Sequence, residues 1–443
     1  MFWKSLLALP LLLSSSLGTN ELSQSDDSVH LRAAHTSQSS ALADFSSFRP
    51  EAIYHRAWQR INDDYVDNTY NNQSWPRWEH RYDGKMKDLT DAHKAIETML
   101  ASLGDRYTRF LDKDAFADEK SQIDAKLFGI GIQISIDDKH HLIIFNAYPD
   151  TPAEKAGLKP ADEILDIDGK PTKGLTVEEA AKMIRGEVNS EVVLTLHRAG
   201  KERMKIGVRR AEISIHAVQT ATMLSNEVGY IRLSSFISQQ ATDEMRDAIS
   251  KLSDAKGMIL DLRDNPGGLL SNAIEISNMF LDMGAIVSTV DRDGFRSTTH
   301  ADGKAICRQP LVVLINSGSA SAAEITSGAL RDNDRALLVG EKSYGKGLVQ
   351  GINHLPDGSG LNITIAHYLT PKDTDINKKG ITPDFPVNVS AKDLKDGKGP
   401  WWLDPALPKA KRAPDDFKDL QLKKAFDVVK TNFTTPSVAI GTH

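Results

Sequence analysis

The sequence predicts an α/β protein with a small β-rich domain set into it and a helical segment ahead of both. Three patterns predict this. After Arg210, short apolar runs at 258–262, with Asp261 inside it, and at 311–315 are each followed by a glycine-containing turn and a helical stretch. This is how buried strands read when helices cover both faces of a sheet, and it puts the chemically interesting residues at strand ends. Between Phe128 and Leu196 apolar and polar residues alternate with period two, the mark of half-buried strands. Between 50 and 115 the apolar residues recur at helical spacing instead.

The chain has 443 residues, 40% of them hydrophobic and 26% charged, an ordinary globular composition with room for two or three domains. Its net charge of −6, from 54 basic and 60 acidic residues, with no long Lys/Arg cluster, argues against nucleic acid as the main partner. Cys307 is the single cysteine, so no intrachain disulfide can form. Residues 1–18 carry Lys4, an apolar run from Leu6 to Leu13 and small residues Ser14 to Ser16. That is the plan of a secretory signal peptide, and the run is too short to span a bilayer. A polar leader follows over 19–49. The expectation is an exported protein, periplasmic or extracytoplasmic and soluble after cleavage.

Each segment then has its own signature. Tyr54, Ala57, Trp58, Ile61 and Tyr65, and again Ala92, Ala95, Ile96, Met99 and Leu103, line helix faces, so 50–115 reads as helical with a loop around Trp75, Trp78, Asp83 and Gly84. Ile132, Ile134 and Ile136 begin the β-rich part, 141–146 gives a second strand and 192–196 another. Between them, 176–185 reads as a helix opened by a Thr176 and Glu179 capping box. Past 388 comes a Lys/Asp/Pro-rich extension closed by one amphipathic helix bearing Leu422, Ala425, Phe426 and Val429.

The chemistry is concentrated in Ser319-Ala-Ser-Ala-Ala-Glu324 and Ser343-Tyr-Gly-Lys-Gly-Leu-Val-Gln350. These place serines and a lysine on small-residue turns beside buried strands. A serine hydroxyl needs a base to become a nucleophile, and a lysine serves only where a dry, apolar setting keeps its amine neutral. A serine just before a helix also presents the next backbone N–H, that of Ala322, and the positive end of the helix to a developing oxyanion. Gly267 or Gly268, in Asn265-Pro-Gly-Gly268 after the 258–262 strand, can bring a second N–H close because it has no Cβ. Rival signals fall short. Gly340 to Lys346 has phosphate-loop spacing, but Gly347 stands where a Ser or Thr must hold magnesium. Neither Gly-x-Ser-x-Gly nor His-Glu-x-x-His occurs. His140, His141, His354 and His367 read as surface or strand residues. No metal and no organic cofactor is implied.

Taken together, the serine and lysine segments, Asn265-Pro-Gly-Gly268, Leu103-Gly-Asp-Arg-Tyr-Thr-Arg-Phe-Leu111 and Gly380-Ile-Thr-Pro-Asp-Phe385 resemble the C-terminal processing peptidases, tail-specific serine proteases with a PDZ domain. The resemblance covers roughly residues 50–388. It implies a crotonase/Clp-protease-like ββα core over 209–388, a PDZ domain inserted at 116–208, an N-terminal helical domain at 50–115 and a C-terminal extension at 389–443. It assigns Ser321 as nucleophile, Lys346 as base and Gln350 as the group orienting the lysine amine, with Gly267 or Gly268 beside Ala322 as oxyanion donors. Ser317 and Ser319 become bystanders, and Asp332 matches an acidic position of the family. Phe128-Gly129-Ile130-Gly131, with Thr151-Pro-Ala-Glu-Lys-Ala-Gly-Leu158 and Asp162-Glu-Ile-Leu-Asp-Ile-Asp-Gly169, resembles the carboxylate-binding loop and frame of PDZ domains. Ala161 stands where the family has glycine before Asp162. The function implied is endopeptidase cleavage near the C-terminal tails of protein substrates. Two other classes compete: a catalytically silent PDZ adaptor, and a crotonase-type acyl-thioester enzyme, for which a PDZ domain has no evident use.

Overall fold

The computed structural model describes residues 12–13 and 49–431, apart from 125, 138–139, 148–150, 199, 215, 226, 404–411 and 415–416. The expected signal peptide and polar leader lie outside the described residues, except for Arg49 and for Leu12–Leu13, which pair in parallel with Gln350 and Gly351. Two compact units divide the chain: Met1–Ala117 with His216–His443, and Asp118–Ile215.

The first unit is built on a sheet ordered Val218–Leu224, Val228–Leu233, Gly257–Asp261, Leu311–Ile315, Ala336–Gly340 and Phe385–Pro386. All its pairings are parallel except the first. Both faces are covered, which is why Leu311–Ile315 and Ala336–Gly340 read as continuous apolar runs. Met258, Leu260, Val313 and Ile315 face helices Ala241–Lys251, Leu270–Asn278 and Ala322–Asp332. Their alternates Ile259, Val312 and Leu314 pack on Leu422, Ala425 and Val429 of the Leu420–Thr431 helix. The closing helix of the extension is therefore the second cover of the central sheet.

A second sheet runs Leu348–His354, Gly360–Leu369, Ala285–Asp291, Arg296–His300, with Arg109–Leu111 added along Gly360–Leu369. Helices Pro50–Asp64 and Leu89–Ala101 do not close a core of their own. Their apolar faces share one cluster with Leu355, Leu361 and Ile363 of this sheet. The helical reading of 50–115 is interrupted: Gly104, at φ 66°, turns the chain, 109–111 is a strand, and helix resumes at Lys113–Ile123. Three residues are too few to show a period in the sequence.

The second unit carries an antiparallel sheet of Ile132–Ile136, Leu142–Ala147, Glu163–Ile167, Glu191–His197 and Met204–Arg209. Lys126–Gly129 pairs separately with Ala211–Ser214. Helix Val177–Ile184 starts at the predicted capping box, in which Thr176 Oγ1 accepts from Glu179 N at 3.2 Å and Glu179 Oε2 accepts from Thr176 N at 2.8 Å. Ala161 sits at φ 66°, in the left-handed region where a Cβ is strained.

Candidate active site

Ser321 is the residue immediately before helix Ala322–Asp332 and is fully buried. Its backbone is held at φ 59° and ψ −119°, a conformation costly for any residue but glycine. The usual capping exchange is only half made. Glu324 Oε2 accepts from Ser321 N at 2.8 Å, while the serine hydroxyl has no partner among the described residues. A side chain that capped its helix would be tied down, and this one is left free to react.

Glu324 is the junction of the site. Its carboxylate, fully buried, accepts on one oxygen from Ser321 N and Lys346 N (2.9 Å), and on the other from Ser343 Oγ (2.5 Å) and Gly345 N (2.7 Å). One carboxylate thus fixes the serine turn to the lysine turn. Burial pushes its pKa up, and the four donors oppose that rise. The Tyr368 hydroxyl adds a second tie, donating toward the carbonyls of Lys346 and Ser321. The Ser-x-x-Glu spacing was the one signal in the sequence that could have found Glu324, which reads there as a plain helix residue.

Lys346 is fully buried, and burial is the leading cause that lowers its amine from 10.5 to about 7. Arg109 and Arg106 push the same way, against Asp105 and Glu324. Its Nζ lies 4.7 Å from the centroid of the Tyr107 ring. Gln350, also fully buried, directs Nε2 to Thr364 Oγ1 at 3.3 Å, and its Oε1 has no partner among the described residues.

The Asn-Pro-Gly-Gly turn lies against the serine. At Gly267, φ 96°, a Cβ would come within 2.7 Å of Ala320 O and of Ser321 Cβ, and within 2.9 Å of Ala322 N. The two glycines differ in what they offer. Gly267 N donates to Asn265 Oδ1 at 2.9 Å, whereas Gly268 N has no partner among the described residues, and neither has Ala322 N. Behind the turn, Asn265 Nδ2 donates to Leu233 O at 2.8 Å and Ala320 N to Asn265 O at 3.0 Å. Arg263, wholly buried, is clamped between Asp261 (2.6 Å) and Asp419 (2.8 Å), the latter from the C-terminal extension. Those carboxylates hold its pKa well above the ordinary value, against desolvation. Ser319 Oγ donates to Leu262 O at 2.7 Å, a structural bond. Asp332 accepts from Lys372 N at 3.1 Å and pairs with Arg331, at the far end of the helix from Ser321.

In the second unit, Phe128, Gly129, Ile130 and Gly131 line a groove of about 220 Å³ together with Ile132, Ile134, Ala181, Ile184 and Arg185. Gly131 adopts φ 82°, and a Cβ there would lie 2.4 Å from the Thr151 side chain. The carbonyls of Ile130 and Gly131 accept from Ala153 N (2.8 Å) and Thr151 Oγ1 (3.4 Å), while their N–H groups have no partner among the described residues.

Residues 227–387 match the model of peptidase family S41, and residues 143–198 match that of the PDZ domain. The chain is 42% identical to a carboxyl-terminal-processing protease of Synechocystis sp., over 74% of this chain and 79% of that one. It is 38% identical to the chloroplastic carboxyl-terminal-processing peptidase 2 of Arabidopsis thaliana, over 76% and 69%. Among solved structures it is similar to a photosystem II D1 C-terminal processing protease, with a TM-score of 0.55 and 34% identity over 76% of this chain and 93% of that one. No helix among the described residues is long and apolar enough to cross a membrane.

Proposed function

The chain belongs to peptidase family S41 as a carboxyl-terminal-processing protease, a serine-type peptidase, and from that premise we propose that it cleaves near the C-terminal tails of proteins with a Ser321/Lys346 dyad. The neutral Lys346 amine takes the Ser321 proton as Oγ attacks the scissile carbonyl. The oxyanion is received by the N–H groups of Gly268 and Ala322, with the helix N-terminus behind the latter. The resulting ammonium then protonates the leaving amine, which departs with the C-terminal fragment, and a water repeats the sequence to free the acyl-serine. Gln350 orients the lysine amine. The observation that carries this reading is Lys346 itself: a fully buried lysine lowered to about 7, joined through Glu324 to a buried serine whose hydroxyl is unpartnered.

For recognition, the groove at Phe128 to Gly131 takes the terminal carboxylate on the Ile130 and Gly131 N–H groups and an apolar last side chain among Ile132, Ile134, Ala181 and Ile184. Export through the apolar leader, to a periplasmic or other extracytoplasmic location, completes the proposal, and N-terminal sequencing of the native protein beyond residue 18 tests it. The test of function is incubation of wild type, Ser321→Ala and Ser319→Ala with an unstructured polypeptide, its C-terminus free or amidated, followed by mass spectrometry. Wild type and Ser319→Ala should cut the free tail, Ser321→Ala should cut nothing, and amidation should raise the substrate concentration required. Cleavage by Ser321→Ala would end the dyad reading, and equal handling of the two tails would end carboxylate-guided recognition.

A further inference from the structure

The turn at Gly104 to Thr108 belongs to the helical N-terminal segment, yet its polar groups end at the lysine. Asp105 Oδ1 accepts from Tyr107 N at 2.8 Å, which fixes the turn. Its Oδ2 accepts from Thr108 Oγ1 at 2.7 Å and from Thr364 Oγ1 at 2.6 Å. Thr364 N donates to Thr108 Oγ1 at 3.0 Å, so strand Gly360–Leu369 is bound to the turn by main chain and side chain alike. Thr364 is also the cross-strand partner of Gln350, and its Oγ1 receives Gln350 Nε2.

Proton inventory makes this chain directional. Asp105 Oδ2 accepts from the Thr364 hydroxyl, which has one proton to give. It then has only lone pairs left for Gln350, and the amide must turn its NH₂ toward Thr364. Gln350 Oε1 is thereby sent the other way, and it is the buried acceptor left without a partner among the described residues. Lys346 reaches the same turn, with Nζ 4.7 Å from the centroid of the Tyr107 ring.

We propose that Asp105 and Thr364 form a positioning relay that locks the Gln350 amide with its oxygen toward Lys346, and that Tyr107 forms the wall of the lysine site. The inference rests on the Ser321/Lys346 reading and goes beyond it by making the N-terminal segment part of the catalytic apparatus. When Lys346 takes the serine proton, the ammonium gains a hydrogen bond to an oxygen already in place and the π face of Tyr107. Both interactions strengthen only as charge develops, so they favour the transition state over the ground state. Reversing the amide would present NH₂ to the ammonium instead.

Asp105→Asn is the deciding variant. Asn can still accept from Tyr107 N, so the turn is retained, but its NH₂ faces the threonine hydroxyls. Thr364 must then turn its proton toward Gln350, and the amide flips. Expected is a fall in kcat of about 10²-fold with KM changed by less than about twofold. Thr364→Val, which cuts the relay without changing charge, should behave alike, and Thr364→Ser should restore turnover to within about threefold of wild type. The acid limb of the rate profile should move to lower pH in Thr364→Val, because the ammonium has lost an acceptor. The charged groups acting on Lys346, namely Asp105, Arg106 and Arg109 from the turn and its strand and Glu324 from the helix, are all unchanged in that variant. Thermal melting of each variant shows that it is folded, and Ser321→Ala is run beside them. Asp105→Asn and Thr364→Val with wild-type kcat, against a dead Ser321→Ala, would overturn the relay and leave the dyad standing. An active Ser321→Ala would overturn the dyad and the relay with it.

Discussion

Replacing Lys346 by methionine should give a protein that is inert as an enzyme and harder to unfold. The side chain is fully buried, and burial leads the causes that lower its amine from 10.5 to about 7. Each pKa unit corresponds to about 1.4 kcal/mol. Below pH 7 the native chain therefore carries a cost of roughly 5 kcal/mol for enclosing a group that prefers to be a hydrated cation. Above pH 7 the native lysine has lost its proton, while the unfolded lysine keeps it to about pH 10. The unfolded state then binds more protons, so native stability rises with pH and the cost shrinks, to roughly 3 kcal/mol at pH 8.5 and towards zero near pH 10.5. Methionine has a similar length and no charge, and removes the cost at every pH. Urea unfolding of both proteins at pH 6.5, 8.5 and 10 should show the variant ahead by an amount that falls steadily as pH rises. On the proposed dyad mechanism wild-type kcat should also climb through about pH 7, standing at about a hundredth of its plateau two units below. A stability gap independent of pH, or a rate that rises only near pH 10, would refute the argument.

Two further substitutions follow from the geometry. Glu324→Gln offers one acceptor oxygen where four donors now share two, so two of them are left facing an NH₂; melting should show a loss of about 3 kcal/mol and kcat should fall at least about 10²-fold. Ala161→Gly relieves the left-handed backbone at φ 66° and should stabilise the Asp118–Ile215 unit by about 1 kcal/mol, read from hydrogen exchange of its strands, with no change in the chemistry of cleavage.

What could be read in advance was whatever leaves a period or a local rule in the chain. Leu311–Ile315 is an apolar run because helices cover both faces of its sheet, and Thr176 with Glu179 is a capping box because both partners lie within one turn. The family likeness brought Ser321, Lys346 and Gln350 forward, since residue types on small-residue turns are visible without knowing what surrounds them. Partnerships between buried polar groups distant in sequence are not visible in that way. Asp105 meets Thr364, and Arg263 meets Asp419, across separations no periodicity reports. Asp419 sits in a Lys/Asp/Pro-rich stretch with the composition of a solvated tail, yet it is fully buried because the helix after it covers the central sheet. Glu324 was hidden for the opposite reason. Its spacing to Ser321 is that of an ordinary capping box, and only the geometry shows that the serine side chain takes no part in one.

That half-made capping box shows how the fold bears the cost of the site. Ser321 holds a strained backbone and a hydroxyl without a partner, Lys346 holds an amine away from water, and Gln350 holds a bare carbonyl oxygen. The serine would be cheaper mended by a cap, and the glutamine by a rotated amide. What stands against the mending is that neighbours which could supply it are occupied. The Glu324 oxygens are taken up by four donors, the Thr364 proton is committed to Asp105, and Gly267 N is committed to Asn265. The Ser321 hydroxyl and the Gln350 oxygen, on which the proposed hydrolysis draws, have no partner among the described residues while these neighbours are committed elsewhere. Loosening that network should therefore lower activity before it lowers stability, since the first response to a freed donor or acceptor is to satisfy Ser321 or Gln350.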